Sequence, residues 1–416
     1  MRSAVVLSIY WFLLLGGLGT FFPFYSLYLR ENAGLSGSQA GIVLAVLPLV
    51  GIAAQPVWGH LADRSGSRTH ILTFLSLGAA VGYAALFFAR DFPSLLATTA
   101  ALAIFSSAVI PMCVSVSLAL VFDLGPHAFG LVRVWGTVGF FVTVVSFPLF
   151  AGSLLELAGI DHLAASVSEP ALVMMFPITA ACCLAAAAVS LLLPSGGAVA
   201  HRAHRTEWRL LLAHGPFVRV VLFMFAAYLC LHGPMVFFPV YVHSLGGDVA
   251  TVSRMWILML ALEVPLIALS GAGFRRLGGR GLLAAGTASG AVRWLVCGLT
   301  NDLLLVHAVQ ILHGVVVAGL VVGAPLYVEA VIPPRLRSTG QGLLSMMGIS
   351  LGGISSSVLS GWLVDNIGPS APALFGGVGA LALTIALPIL VPRPRRAAAS
   401  ELQPMVATPG SDSLLP

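Results

Sequence analysis

The chain contains no lysine: all 20 of its basic residues are arginine. Charge of either sign is scarce, at 8% of 416 residues, where soluble globular domains carry about 25%. That excludes a water-facing surface over most of the molecule, so the main solvent for this chain is lipid. No polar stretch is long enough to hide a separate domain; the longest are 194–215 and the tail after 391. The five cysteines (Cys113, Cys182, Cys183, Cys230 and Cys297) all lie inside apolar runs without metal-ligand spacing, and read as packing residues. A glycine-rich phosphate loop, a metal cluster and a nucleophile triad are also missing. Their absence argues against ATP-driven transport and against an embedded enzyme, and leaves no cofactor or metal to expect.

What is present is a succession of apolar runs, with 58% of residues hydrophobic. A helix of about 20 apolar residues crosses a bilayer. The chain holds about twelve such runs, roughly 5–29, 39–62, 69–89, 94–120, 129–152, 170–193, 217–243, 252–272, 281–300, 303–329, 339–364 and 370–391. The first is too long for a signal peptide and lacks a small-residue cleavage site after it. A net charge of +5 would suit nucleic acid, but its placement says otherwise. With the amino terminus inside, fifteen arginines fall in the ends and loops of one side, and three (Arg30, Arg90 and Arg254) on the other. This asymmetry is the positive-inside pattern. It predicts a bacterial-type plasma (inner) membrane protein with both termini cytoplasmic, membrane lipid around it and no nucleic-acid partner.

Two short patterns recur half a chain apart. Phe21-Phe22-Pro23-Phe24-Tyr25 is matched by Phe237-Phe238-Pro239-Val240-Tyr241. Gly59, Arg64, Gly66 and Arg68 are matched at identical spacing by Gly271, Arg276, Gly278 and Arg280, with Arg275 in place of Asp63. The chain therefore divides into an N-terminal six-helix bundle (1–193), a cytoplasmic linker (194–215), a C-terminal six-helix bundle (216–391) and a disordered cytoplasmic tail (392–416). Within the eleventh run, Gly348-x-x-x-Gly352 and Gly353-x-x-x-Ser357-x-x-x-Gly361 let helix backbones approach closely.

The polar island Gly59-His60-Leu61-Ala62-Asp63-Arg64-Ser65-Gly66-Ser67-Arg68 resembles the loop between helices 2 and 3 of major facilitator superfamily transporters. The resemblance implies an all-α integral membrane fold of twelve transmembrane helices in two pseudo-symmetric six-helix bundles. It places the solute site between the halves near the midplane. It also makes Gly59, Asp63, Arg64, Gly66 and Arg68 a conformational latch, the aspartate holding the halves together when the site faces outward. Phe129-Gly130-Leu131-Val132-Arg133-Val134-Trp135, the Leu312-His313-Gly314 segment and Leu336-Arg337-Ser338-Thr339-Gly340 resemble one branch. That branch holds lactose permease, nucleoside:proton symporters and 3-phenylpropionate permeases. Arg133 falls on the substrate-binding arginine of the lactose permease pattern. The preceding arginine of that pattern is replaced by Leu131, and its helix-4 glutamate falls on Ser115, which argues against sugar recognition of that type.

Of the ionisable residues that fall inside apolar runs, Arg133, Glu263 and Arg293 stand out by their depth or setting. Each is costly in hydrocarbon unless it is paired or faces a water-filled cavity. Glu263 and Arg293 form either a structural salt bridge or a device in which Glu263 takes a proton and frees Arg293. His232, His307 and His313 also lie in such runs and can titrate near neutral pH. Arg133, Arg293, Tyr25, Trp135 and His313 are candidate substrate contacts, and Glu263 and His313 candidate proton carriers. The expectation is a monomeric secondary transporter moving a small organic solute by alternating access, coupled to protons. Two arginines against one glutamate favour an aromatic or other organic anion. Sugar or nucleoside symport, efflux of drugs or metabolites, and a receptor-like protein that moves nothing stay open.

Overall fold

Lipid offers no partner to backbone N–H and C=O groups, so a spanning segment must satisfy its own hydrogen bonds as a helix. The computed structural model describes residues 2–121, 124, 128–159, 168–194, 208–333 and 336–393. Among the described residues, twelve helices are long and apolar enough to cross a membrane. They are α1 (Arg2–Asn32), α2 (Gly37–Ser65), α3 (Arg68–Leu86), α4 (Phe92–Val121), α5 (Ala128–Leu157), α6 (Pro170–Ser190), α7 (Gly215–Val236), α8 (Val249–Leu266), α9 (Arg276–Leu299), α10 (Leu303–Val331), α11 (Thr339–Asn366) and α12 (Ala371–Leu390). The tail from 394, the linker residues 195–207 and the side chain of Arg275 lie outside the described residues. The rest of the linker carries a short helix, Trp208–Ala213.

The largest boundary difference is at α7, which ends at Val236 rather than near 243 and restarts as a short helix, Phe238–Ser244. α1 breaks in the same way: it is helical to Phe21, turns around Pro23 and resumes at Tyr25. Proline lacks the N–H and clashes with the carbonyl four residues earlier, so the repeated Phe-Phe-Pro is a repeated break. The second repeat is structural too. Gly66 and Gly278 both adopt the left-handed region, at φ 66° and 67°, where a side chain would be strained. Gly66 ends α2, and Gly278 divides the helical stretch that holds α8 and α9.

In the first half α1 packs on α5 and α6, while α2 and α3 pack on α4; in the second, α7 packs on α11 and α12. Between halves, the long contact is α2 on α11. Odd-numbered helices run away from the face that carries the N-terminus (the terminal face), so α2 begins and α11 ends at the opposite face. There the two helices touch backbone to backbone: a Cβ on Gly41 would sit 2.5 Å from the Ser357 carbonyl oxygen. Asp365 closes the seam by accepting the N–H groups of Gly37 (2.6 Å) and Ser38 (2.7 Å) and the Ser38 hydroxyl (2.7 Å), with Arg30 3.5 Å away. Nearby, the Ser253 hydroxyl of α8 donates to the Val144 carbonyl of α5, and His243 lies 3.6 Å from Glu31 and 4.0 Å from Glu169. Burial pushes the Glu169 carboxyl above its ordinary value, and His243 opposes that rise.

The same helices part at the terminal face. Gly59 of α2 and Gly342 of α11 have no neighbouring atom within 4 Å of a Cβ position. Among the described residues, the two halves thus close together at the opposite face and leave open space beside α2 and α11 at the terminal one. Gly41→Val places two γ carbons where the α11 backbone now lies, and is expected to push the α2 and α11 ends apart. Pulsed-dipolar distances between spin labels at those ends should lengthen; an unchanged distance would show that the glycine contact does not hold the seam.

Candidate functional site

Below the seal, side chains from α5, α8, α9 and α10 converge. Arg293 of α9 is 1% exposed. Its Nε donates to Gln310 Oε1 (2.8 Å), its Nη1 meets His313 Nδ1 (3.0 Å), and its Nη2 points at the sulfurs of Met235 (3.3 Å) and Met259 (3.6 Å). Gln310 is oriented by donating its own amide to the Val306 carbonyl (2.7 Å). The Trp294 ring lies 4.1 Å from the guanidinium carbon, a cation–π contact. A salt bridge between Arg293 and Glu263 is absent among the described residues. His313 stands between them, with its Nε2 3.6 Å from Glu263 Oε2.

That interposition assigns roles. A guanidinium has donors only, so His313 Nδ1 must accept from Arg293 and its proton sits on Nε2, facing Glu263. A proton on both ring nitrogens would set N–H against N–H. While Arg293 holds this contact, His313 is therefore a neutral connector, and Glu263 is the group free to gain or lose a proton. The local backbone is shaped for the arrangement. α10 is 3₁₀ at Gln310–Leu312 and π-helical at Ala318–Val322, irregularities common at functional sites. Gly314 lets α10 reach α8: a Cβ there would lie 2.8 Å from the Glu263 backbone nitrogen.

Glu263 opens onto a cavity of about 320 Å³ that also takes Arg133, Thr137, Phe140, Trp256 and His313 in its wall. The Arg133 guanidinium stacks on Trp11, 4.5 Å from the ring centroid, and interacts electrostatically with Glu263 across the space. Trp11 is held by donating its indole N–H to Ser117 (3.0 Å). Trp256 is 5% exposed, and its indole N–H has no acceptor among the described residues. An orphaned buried donor is costly, and the side chain that carries it borders the cavity.

The other expected site residues separate. Trp135 lies apart from the cavity: it is 49% exposed and lines an apolar groove with Phe12 and Leu131 on the flank of α1 and α5. It lies two residues from Arg133, and two residues turn a helix by about 200°, so both cannot face the cavity. Leu131 shares that groove, and the Ser115 hydroxyl accepts from Arg68 (2.9 Å); neither lines the cavity. Tyr25 is buried with its hydroxyl bonded to Thr99 (2.8 Å), and borders a neighbouring compartment. In the expected latch, Asp63 accepts from Arg68 (2.8 Å) within its own loop, Arg64 is exposed, and Gly59 and Gly66 have open space around them. Among the described residues, Asp63 makes no hydrogen bond or ion pair with α11. Sequence reading passed over Gln310, Trp256 and Asp365. Gln310 lies three residues before His313 and Trp256 seven before Glu263, spacings that share a helix face.

The chain matches the model of the MFS_1 like family over residues 4–373. It is 29% identical to a maltose permease of Geobacillus stearothermophilus over 94% of this chain and 95% of the relative. It is 25% identical to a probable 3-phenylpropionic acid transporter of Escherichia coli strain K12, over 75% of this chain and 79% of the relative. The crystal structure of the nucleoside transporter NupG superposes with a TM-score of 0.80 at 16% identity, covering 94% of this chain and 99% of that one.

Proposed function

We propose, from the premise that this chain belongs to the MFS_1 like family, that it is a proton-coupled symporter of an uncharged polyhydroxylated solute of the sugar class. That it is a multi-pass membrane transporter and not an enzyme follows from its family; solute and coupling are our reading. One observation carries it: a guanidinium and a carboxylate face each other across a cavity walled by aromatic rings, among them Trp256, whose buried indole N–H has no acceptor among the described residues. A sugar hydroxyl both donates and accepts, so neighbouring hydroxyls bridge Arg133 and Glu263 while another oxygen accepts from Trp256. The apolar face of the ring packs on Phe140.

The balance of charge also turns from the anion. The expectation of an aromatic carboxylate counted Arg293 toward the solute, but its donors are engaged by Gln310, His313 and two methionines. Arg133 and Glu263 remain, and they cancel. The resemblance to a maltose permease over almost the whole chain supports the same class. In this reading the two bundles, 1–193 and 216–391, rock about the cavity in a plasma membrane of bacterial type. With the termini cytoplasmic, the structure is the inward-facing state.

The test is equilibrium binding to purified protein, read by tryptophan fluorescence, with maltose and 3-phenylpropionate as probes. Maltose should bind and the acid should not. Arg133→Lys should weaken maltose at least tenfold or so, because lysine lacks the rigid two-pronged donor. Binding of the acid alone would overturn the reading.

A further inference from the structure

We propose that a second compartment, between α1, α2, α7 and α11, holds the second uncharged ring of a two-ring solute through the His232 imidazole and the Ser26 hydroxyl. The compartment measures about 210 Å³ and lies toward the sealed face, with Phe22, Tyr25, Ser26, Tyr228, His232 and Ser350 in its wall. Among the described residues its wall includes one orphaned oxygen, that of Ser26, while the Tyr25 hydroxyl is bonded to Thr99. Ser26 is 2% exposed, and its oxygen has no hydrogen-bond partner among the described residues. The His232 ring stacks on Tyr228 at 6.3 Å and 27°, and its nitrogens make no hydrogen bond among the described residues. Buried polar groups are almost always paired; the orphaned Ser26 oxygen and a half-buried imidazole in the wall of one cavity point to a ligand that pairs them.

The surroundings fit that use. Gly353 lies beside the imidazole, where a Cβ would come within 3.3 Å of the ring, so the glycine leaves the ring its room. A π-helical segment of α11, Leu344–Ser350, ends at this wall. The compartment is also continuous with the central site: Phe22 borders both. Tyr228 and His232 line a gap of about 110 Å³ that continues to Arg293 and His313. No carboxylate or guanidinium borders the compartment among the described residues. It therefore suits an uncharged group, and a neutral imidazole can donate to one hydroxyl and accept from another. The inference rests on the sugar-class reading above, with one ring beside Arg133 and Glu263 and the second beside His232.

The experiment compares maltose, with two rings, and glucose, with one, by equilibrium binding to the purified full chain. In wild type, maltose should bind more tightly than glucose. His232→Ala should weaken maltose about tenfold, the worth of a hydrogen bond or two, and leave glucose within about twofold. Ser26→Val fills space where an unpaired oxygen stood, and should likewise weaken maltose alone. Retained glucose binding shows that each variant is folded, and Arg133→Lys should weaken both sugars. Unchanged maltose affinity in both variants, or equal loss for both sugars, overturns the second compartment and leaves the sugar-class reading standing. If neither sugar binds wild type, the sugar-class reading falls, and this inference with it.

Discussion

Glu263→Gln is expected to abolish proton-driven accumulation while leaving exchange of solute across the membrane in place. Glutamine reproduces the size and hydrogen bonding of a protonated glutamate but cannot release a proton, so the carrier becomes a passive exchanger. The loss is large: 100 mV acting on one charge is worth about 2.3 kcal/mol, or roughly a fifty-fold concentration ratio. The assay is uptake into proteoliposomes with and without an imposed proton gradient, beside counterflow. The geometry makes the result specific to Glu263. His313 Nδ1 is held as an acceptor by Arg293 at 3.0 Å, and Arg293 stays charged. Accumulation that survives in the variant would move the coupling group elsewhere.

Asp365→Asn is expected to release the seal at the opposite face. One carboxylate there serves the first two backbone N–H groups of α2 and a hydroxyl, with an arginine nearby. The start of a helix carries unsatisfied donors and a partial positive charge. An asparagine keeps one acceptor oxygen but loses the charge and the second acceptor. Since the group is partly exposed, the net loss is about 2 kcal/mol, enough to move a two-state equilibrium roughly thirty-fold. Alkylation of single cysteines in the cavity wall reads the shift: reactivity toward a reagent from the opposite face should rise, and from the terminal face fall. Asp63→Asn should act in the reverse sense. Among the described residues Asp63 is bound to Arg68 alone, so its latch on α11 is expected in the other state, and its loss should favour the state described here. If both variants move access in the same direction, the two aspartates do not gate opposite faces.

Much of this was legible in the order of residues, for a local reason. Spanning helices follow from runs of apolar side chains, each judged within about 20 residues. The reversal at Gly66 follows from the chemistry of a single residue, while the breaks beside Pro23 and Pro239 fell inside runs that read as continuous. The small-residue spacing of α11 announced a close approach, and Gly352 and Gly361 do meet the backbones of α7 and α2. The helical period alone also separates Trp135 from Arg133, two residues apart.

The amino-acid sequence by itself determined that this chain lives in lipid, how many times it crosses, and which few ionisable groups it carries into the hydrocarbon, because each of these is a sum of local transfer and backbone terms. Only the tertiary structure decided what those groups meet. Whether Arg293 pairs with Glu263 or with His313 depends on how α8, α9 and α10 are rotated against one another. Whether Asp365 is a solvated surface charge or a seal depends on a helix that begins 328 residues earlier. Such contacts follow from the packing of whole bundles, which no stretch of sequence encodes alone.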